Sequence, residues 1–253
     1  MNRILFEQTE IVEGVATFGG DRAAHVLDVL HGEVGQVLKT GEIDGLIGTS
    51  VIREIRPEGP EIVVDCAHRD ESLRPWVNLV LAPPRPRVMK RLLPQLATLG
   101  VGKVVLVGAK KVEKDFWGAT LLKPENYRPL LIDGLMQAGT SILPTIDVRR
   151  NFRKFIREEL DVMLPSPKRI VAHPYEAKDV RPETGDLTQS TNRTIDQSNN
   201  SSLTLAIGPE GGWTDEEVAL LEEHGFSRYS LGSRILRTDT ATIALLAQLM
   251  PQD

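Results

Sequence analysis

From Val77 onward the chain repeats one rhythm, a short aliphatic run followed by a longer segment with apolar residues at helical spacing. Val77–Ala82 reads as a buried strand, and Val88–Leu99 carries Val88, Leu92, Leu93, Leu96 and Leu99 on a helical face. Pro94 falls inside that helix and removes one of its hydrogen bonds. Gly100 and Gly102 flank the turn into a strand at Val104–Val107. Helices are expected near Pro124–Gln137 and Phe152–Leu160, and strands at Ile170–Ala172, Leu203–Ile207 and Arg228–Leu231. Alternation of this kind implies an α/β domain, with a mostly parallel sheet covered by helices.

The first 75 residues follow a different rhythm. Ile4–Phe6, Ala16–Phe18, Gln36–Thr40, Leu46–Ile55 and Glu61–Ala67 are short apolar or alternating runs separated by Gly, Pro and acidic residues. Asp21–Leu30 interrupts them with one short helix, so a small β-barrel with a single helix is expected. Arg74-Pro75 is the expected boundary, giving one domain over 1–74 and a second over 75–253. Within the second, 176–202 is rich in Thr, Ser, Asn, Gln and Asp and reads as a flexible insertion with too little apolar surface to order itself.

No apolar run approaches the roughly 20 residues that a membrane span requires. Met1–Glu10 carries charges where a secretory signal needs an apolar core, so a cytoplasmic location is expected. The single cysteine, Cys66, excludes an intramolecular disulfide framework and a cysteine-rich metal site, and no metal is expected. The net charge of −5 conceals a strong asymmetry. Residues 1–82 hold seven Lys/Arg against fourteen Asp/Glu, whereas 83–128 hold ten against three. A basic segment in an acidic chain fits a phosphate backbone, and Lys90, Arg91, Lys110, Lys111 and Lys114 are its candidate contacts. A solvated helix face with a charged loop is the competing explanation.

Three strand ends carry the chemical signals. Ile207-Gly208-Pro209-Glu210-Gly211-Gly212 passes from a strand through a glycine turn into a helix. Thr214 and Glu217 have the spacing of a capping box, Trp213 and Val218 that of a hydrophobic staple, and Gly225 ends the helix. The turn has neither the lysine of a P-loop nor the G-x-G-x-x-G spacing of a dinucleotide site. The second signal is Leu231-Gly232-Ser233-Arg234-Ile235-Leu236-Arg237-Thr238, ahead of an apolar helix expected at Thr242–Met250. Such a helix must be buried in the core or against a partner chain. Arg237 at its head calls for a partner, and Asp239 is the nearest structural one. The third signal is the strand Ile170–Ala172 running into His173-Pro174, a strand end of the kind that lines ligand clefts in open α/β sheets.

Together these loops resemble the RsmE-type family of SPOUT methyltransferases, which modify N3 of a uridine in small-subunit ribosomal RNA. The resemblance rests on His173-Pro174, Gly208-Pro209-Glu210-Gly211-Gly212, and Leu231-Gly232 with Arg234-Ile235-Leu236-Arg237-Thr238; weaker similarity takes in Leu99-Gly100-Val101, Arg3, His25 and Val29-Leu30. It implies a SPOUT-type, trefoil-knotted parallel-sheet domain preceded by a PUA-like RNA-binding barrel, and a homodimer acting on ribosomal RNA or the small subunit. It also implies S-adenosyl-L-methionine as cofactor, held by His173, Pro174, Gly208, Pro209, Glu210, Gly211, Gly212, Leu231, Gly232, Ser233, Ile235, Leu236 and Thr238. The uracil N3–H is only weakly acidic, so a cation near O2 or O4 would stabilise the developing anion; Arg237 is the candidate, with Glu210 orienting the cofactor or accepting a proton. Arg3 and His25 join the candidate RNA contacts.

The RNA side departs from the family pattern. His31 stands where the family has Arg, Gln95 and Thr98 where it has Lys and Glu, and Ala109-Lys110-Lys111 where it has Ser-Glu-Arg. A Glu-Gln…Arg element survives only as Met136-Gln137…Thr140. Two alternatives therefore stand beside the uridine target: a SPOUT methyltransferase acting on another RNA, and an RNA-binding or ribosome-assembly factor whose catalytic side has decayed.

Overall fold

The computed structural model describes residues 2–56, 61–174 and 203–251, so the insertion expected at 176–202 lies outside the described residues. The chain divides into two compact units, 1–74 with 128–143, and 75–127 with 144–253.

The first unit is built on a six-stranded mixed sheet of order β1-β4-β5-β6-β3-β2. Its strands are β1 (Ile4–Phe6), β2 (Ile11–Val12), β3 (Val15–Phe18), β4 (Val37–Glu42), β5 (Ile47–Arg56) and β6 (Glu61–Asp70). β1 runs parallel to β4, and the other pairs are antiparallel. The short helix α1 (Gly20–Ala24) widens into one π turn at His25–Val29. Phe6, Phe18, Val26, Leu38, Ile52, Ile62 and Val64 form the core, with the Phe6 and Phe18 rings 5.5 Å apart. Arg3 ties the unit together, its guanidinium donating to the carbonyls of Thr40 (2.6 Å), Gly48 (2.9 Å) and Gly139 (2.9 Å). Beside it the Thr40 hydroxyl meets Ser50 Oγ at 2.6 Å and His68 Nε2 at 2.8 Å. His68 is almost wholly buried, and Glu42 lies 3.6 Å from its Nδ1.

The second unit contains the all-parallel sheet that the alternation implies, in the order β12-β10-β11-β7-β8-β9. These strands are β7 (Val77–Leu81), β8 (Val101–Val107), β9 (Thr145–Arg149), β10 (Lys168–Ala172), β11 (Leu203–Ile207) and β12 (Ser227–Tyr229). The helices, in chain order, are α2 (Pro86–Thr98), α3 (Pro124–Ala138, whose residues from 128 onward belong to the first unit), α4 (Phe152–Lys154), α5 (Leu160–Met163), α6 (Asp215–Glu223) and α7 (Thr238–Leu249), with a π turn at Phe155–Glu159 joining α4 to α5. β7 and β11 are buried along their whole length, as central parallel strands must be. Val80, Val105, Val107, Phe152, Phe155, Ile156, Ala206, Trp213, Val218 and Leu221 make one core under α4 and α6.

Three elements depart most from their sequence expectation; β2, only two residues long, was not among the expected strands. β9 was not expected at all; it is the edge strand, its residues half-buried or exposed, so no apolar run announces it. α7 starts at Thr238 rather than Thr242: the Ala241 N–H donates to the Arg237 carbonyl at 2.8 Å and closes a polar first turn that no apolar spacing announces.

Candidate functional site

β12, β10 and β11 are parallel neighbours, so their carboxyl ends lie on one edge of the sheet. That edge is where open α/β sheets hold ligands. The three signal-bearing loops leave from it and are bonded to one another. His173 N–H donates to the Tyr229 carbonyl at 3.0 Å, closing the β10 end onto β12. Thr238 Oγ1 donates to the Gly208 carbonyl at 3.2 Å, tying the head of α7 to the glycine turn. Ser230 Oγ lies 3.4 Å from the Pro174 carbonyl and also donates to that of Gly232 at 3.1 Å.

The glycine turn is shaped from behind. Gly208 lies so close to the Trp213 indole that a Cβ would stand 3.1 Å from its ring edge and backbone nitrogen. Trp213 is buried and stacks obliquely on Phe152 at 5.3 Å, while its indole N–H finds no acceptor among the described residues. Gly212 (φ +70°) and Gly232 (φ +116°) adopt left-handed backbone and face open space, so a ligand can approach the bare main chain at both turns. The α6 capping box forms as expected, Glu217 accepting from Thr214 N–H at 2.8 Å. Glu217 has a second duty that the sequence did not signal: it accepts the Lys110 N–H at 2.7 Å and so joins the β8 loop to α6.

Lys111 is tied to the turn itself. Its ammonium donates to the Gly211 carbonyl at 2.7 Å, and its stem lies 3.0 Å from where a Gly211 Cβ would stand. Glu210 is exposed at the tip of the turn. Arg85, just before α2, donates to Glu113 at 2.9 Å. That bond, then the charges of Glu113 and Glu210, raise the Arg85 pKa above its ordinary value. Pro83, Pro84, Arg85, Lys111, Glu113, Pro209 and Glu210 thus meet around one small recess. Arg85 was missed in sequence because a lone arginine after two prolines carries no pattern.

Arg237 is exposed at the N-cap of α7. Asp239, its candidate structural partner, instead faces Arg91 at 3.5 Å. A cation at the positive end of a helix dipole gains nothing from the helix, and no carboxylate is paired with Arg237 among the described residues. Ser233, Arg234, Ile235 and Leu236 are exposed ahead of it, Leu231 is half-buried, and Thr238 is buried.

The RNA candidates are dispersed. Lys90 is exposed on α2, Lys110 follows β8, and Lys114 opens a 3-10 turn. In the first unit Arg3 is committed to three carbonyls, and His25 begins the π turn with Nε2 buried and without a hydrogen-bond partner among the described residues. Among the described residues no group of three or more His, Cys, Asp or Glu could hold a metal, and no helix is long and apolar enough to cross a membrane.

Residues 71–250 match a family model described as an RNA methyltransferase domain. The chain is 32% identical over 253 residues to ribosomal RNA small subunit methyltransferase E of Treponema pallidum, covering 99% of this chain and 91% of that protein. It is 22% identical over 257 residues to the Bacillus subtilis protein of the same name, covering 100% and 97%. The fold resembles the crystal structure of the Neisseria gonorrhoeae ribosomal RNA small subunit methyltransferase E bound to S-adenosyl methionine, with a TM-score of 0.69, 20% identity and coverage of 98% and 95%.

Proposed function

The chain belongs to the RNA methyltransferase family that includes ribosomal RNA small subunit methyltransferase E, and on that premise we propose that it methylates N3 of a uridine in small-subunit ribosomal RNA, using S-adenosylmethionine. The observation that carries this reading is the bonding of three motif loops to one another at a single sheet edge, through His173, Thr238 and Ser230. The two bare left-handed glycines, Gly212 and Gly232, fit a cofactor laid along main chain.

S-adenosylmethionine, when bound, supplies an electrophilic methyl group, so the protein's own work is positioning and charge. Gly208–Gly212 and Leu231–Leu236 hold the adenosine through main-chain groups, with His173 and Pro174 closing one side. Trp213 and Pro209, both buried, form the dry back of the turn. Arg237 offsets the negative charge that builds on uracil O2 or O4 as N3 loses its proton. Glu210 orients the cofactor or receives that proton. Within this reading the second unit is trefoil-knotted, the first is a PUA-like RNA-binding domain, two chains form a homodimer, and the enzyme works in the cytoplasm.

Mapping methylated nucleotides in small-subunit RNA from cells with and without the gene tests the assignment. One uridine should lose its N3 methyl group when the gene is absent. An unchanged methylation map would refute the target.

A further inference from the structure

The charge profile along the chain hides a second basic segment. Arg149, Arg150, Arg153, Lys154 and Arg157 fall within nine residues that contain no carboxylate, inside a stretch that is acidic on balance. Phe152, Phe155, Ile156 and Leu160 turn into the core, so Arg150, Arg153, Lys154 and Arg157 are left exposed along one ridge at helical spacing.

That ridge borders a cleft of about 500 Å³ at the carboxyl ends of β8 and β9. Gly108, Lys110, Arg150, Asn151, Phe152, Arg153, Thr214, Glu216 and Glu217 line it. Its depth depends on Gly108, where a Cβ would stand 2.0 Å from the Arg150 carbonyl, so only glycine lets the two strand ends run this close. The volume suits a nucleotide.

The charges in the cleft do not cancel. Glu217 is spent on the N–H groups of Lys110 and Thr214. Glu216 is paired with Arg153 at 2.5 Å. Among the described residues no carboxylate is paired with Lys110, Arg150, Lys154 or Arg157. Arg150 is held ready instead: its guanidinium donates to the Trp117 carbonyl at 3.1 Å and lies 5.7 Å from the centre of the Trp117 ring. An exposed arginine held beside an aromatic ring, with N–H groups beyond the one bonded, suits a phosphate.

We propose that this cleft and its ridge, through Lys110, Arg150, Lys154 and Arg157, bind the phosphate backbone of the substrate RNA next to the nucleotide being modified. The proposal rests on the RNA methyltransferase reading and extends the candidate contacts from Lys110, in the basic segment 83–128, to three cations outside it. It gives one way for an acidic protein to hold RNA: four cations without carboxylate partners among the described residues are gathered along one cleft and its ridge.

The test measures binding of a fluorescent oligouridylate of about twenty nucleotides against salt. The parent should bind with a steep salt dependence. Lys154→Ala with Arg157→Ala should lower the slope of log K against log salt by about 1.4, two phosphate contacts on a single strand. Arg150→Ala with Lys154→Ala should do the same. S-adenosylmethionine affinity and melting temperature should stay at parental values in the first pair, whose side chains make no hydrogen bond or ion pair among the described residues. A parental slope in both double variants overturns the cleft while leaving the enzyme assignment intact. Loss of cofactor affinity in step with RNA affinity also overturns it, since the ridge would then be scaffold. A parent that neither binds RNA in a salt-dependent way nor methylates small-subunit RNA defeats the enzyme reading and this proposal together.

Discussion

Lys111 shows how much a single bond changes a residue's reading. By charge alone it belongs with the RNA contacts, yet its ammonium is on the Gly211 carbonyl. If that bond shapes the cofactor turn, Lys111→Met, which keeps the stem, should weaken S-adenosylmethionine binding about five-fold, the equivalent of about 1 kcal/mol for one exposed charged hydrogen bond. Lys111→Arg should recover most of the loss. Calorimetry decides: parental affinity in Lys111→Met would return the residue to the RNA side, where the salt slope should fall instead. Arg237 poses the opposite question, a cation for which the fold gives no reason. Arg237→Ala should lower single-turnover methyl transfer at saturating RNA by about 10²–10³ while cofactor affinity stays near parental. Equal rates in variant and parent would assign it to a non-catalytic role.

At the scale of elements, what could be read from sequence was what local patterning controls. The Thr214–Glu217 capping box was legible because both partners lie within one turn, and the structure forms it. The bond from Lys110 N–H to the same Glu217 spans 107 residues and left no local trace. Glu217→Ala should therefore cost more than a lost cap: two N–H groups lose their acceptor, about 2–4 kcal/mol in urea unfolding. A loss near 1 kcal/mol would mean that water replaces the Lys110 contact. β9 was illegible for a related reason, since an edge strand shows no buried run. The first unit's sheet was readable from its alternating runs, but the attachment of 128–143 was not, because it depends on remote bonds such as Asn2 N–H to the Met136 carbonyl. That same sheet carries a pH dependence. Burial lowers the His68 pKa and outweighs the upward pull of Glu42, with the charge of Arg3 adding a smaller downward push. The folded unit therefore prefers the neutral ring, and its stability is fully present above the unfolded value of about 6.5. As pH falls through that value toward the lower folded one, the unfolded chain takes up the proton first and stability is lost. Glu10, whose pKa is lowered, stays ionised across this window. Unfolding of the parent at pH 7.5 and 5.5, repeated in His68→Gln, should show a loss that the variant lacks. An identical loss in both would clear His68.

At the scale of the whole molecule, the last helix connects the site to the oligomeric state. Thr242, Leu245, Leu246 and Leu249 face inward, while Ile243 and Met250, seven residues apart, share the outer face with Ala247. Ile235 is 71% exposed and Leu236 37%, in the segment that leads into the same helix. An apolar strip of this kind in water is a cost that a partner surface would remove. Ile235 and Leu236 also belong to the loop assigned to the adenosine, so a second chain seated on α7 would order the cofactor pocket as well as the interface. Sedimentation at micromolar concentration should give a dimer. Ile243→Glu with Met250→Glu should give a folded monomer, because both positions are exposed and each charge would be forced into the interface only. The coupling makes a second demand: the monomeric variant should bind S-adenosylmethionine more weakly than the parent although neither substituted residue is assigned to the pocket. A parent that sediments as a well-folded monomer would remove the dimer. A monomeric variant with undiminished cofactor affinity would leave the dimer in place but separate it from the site.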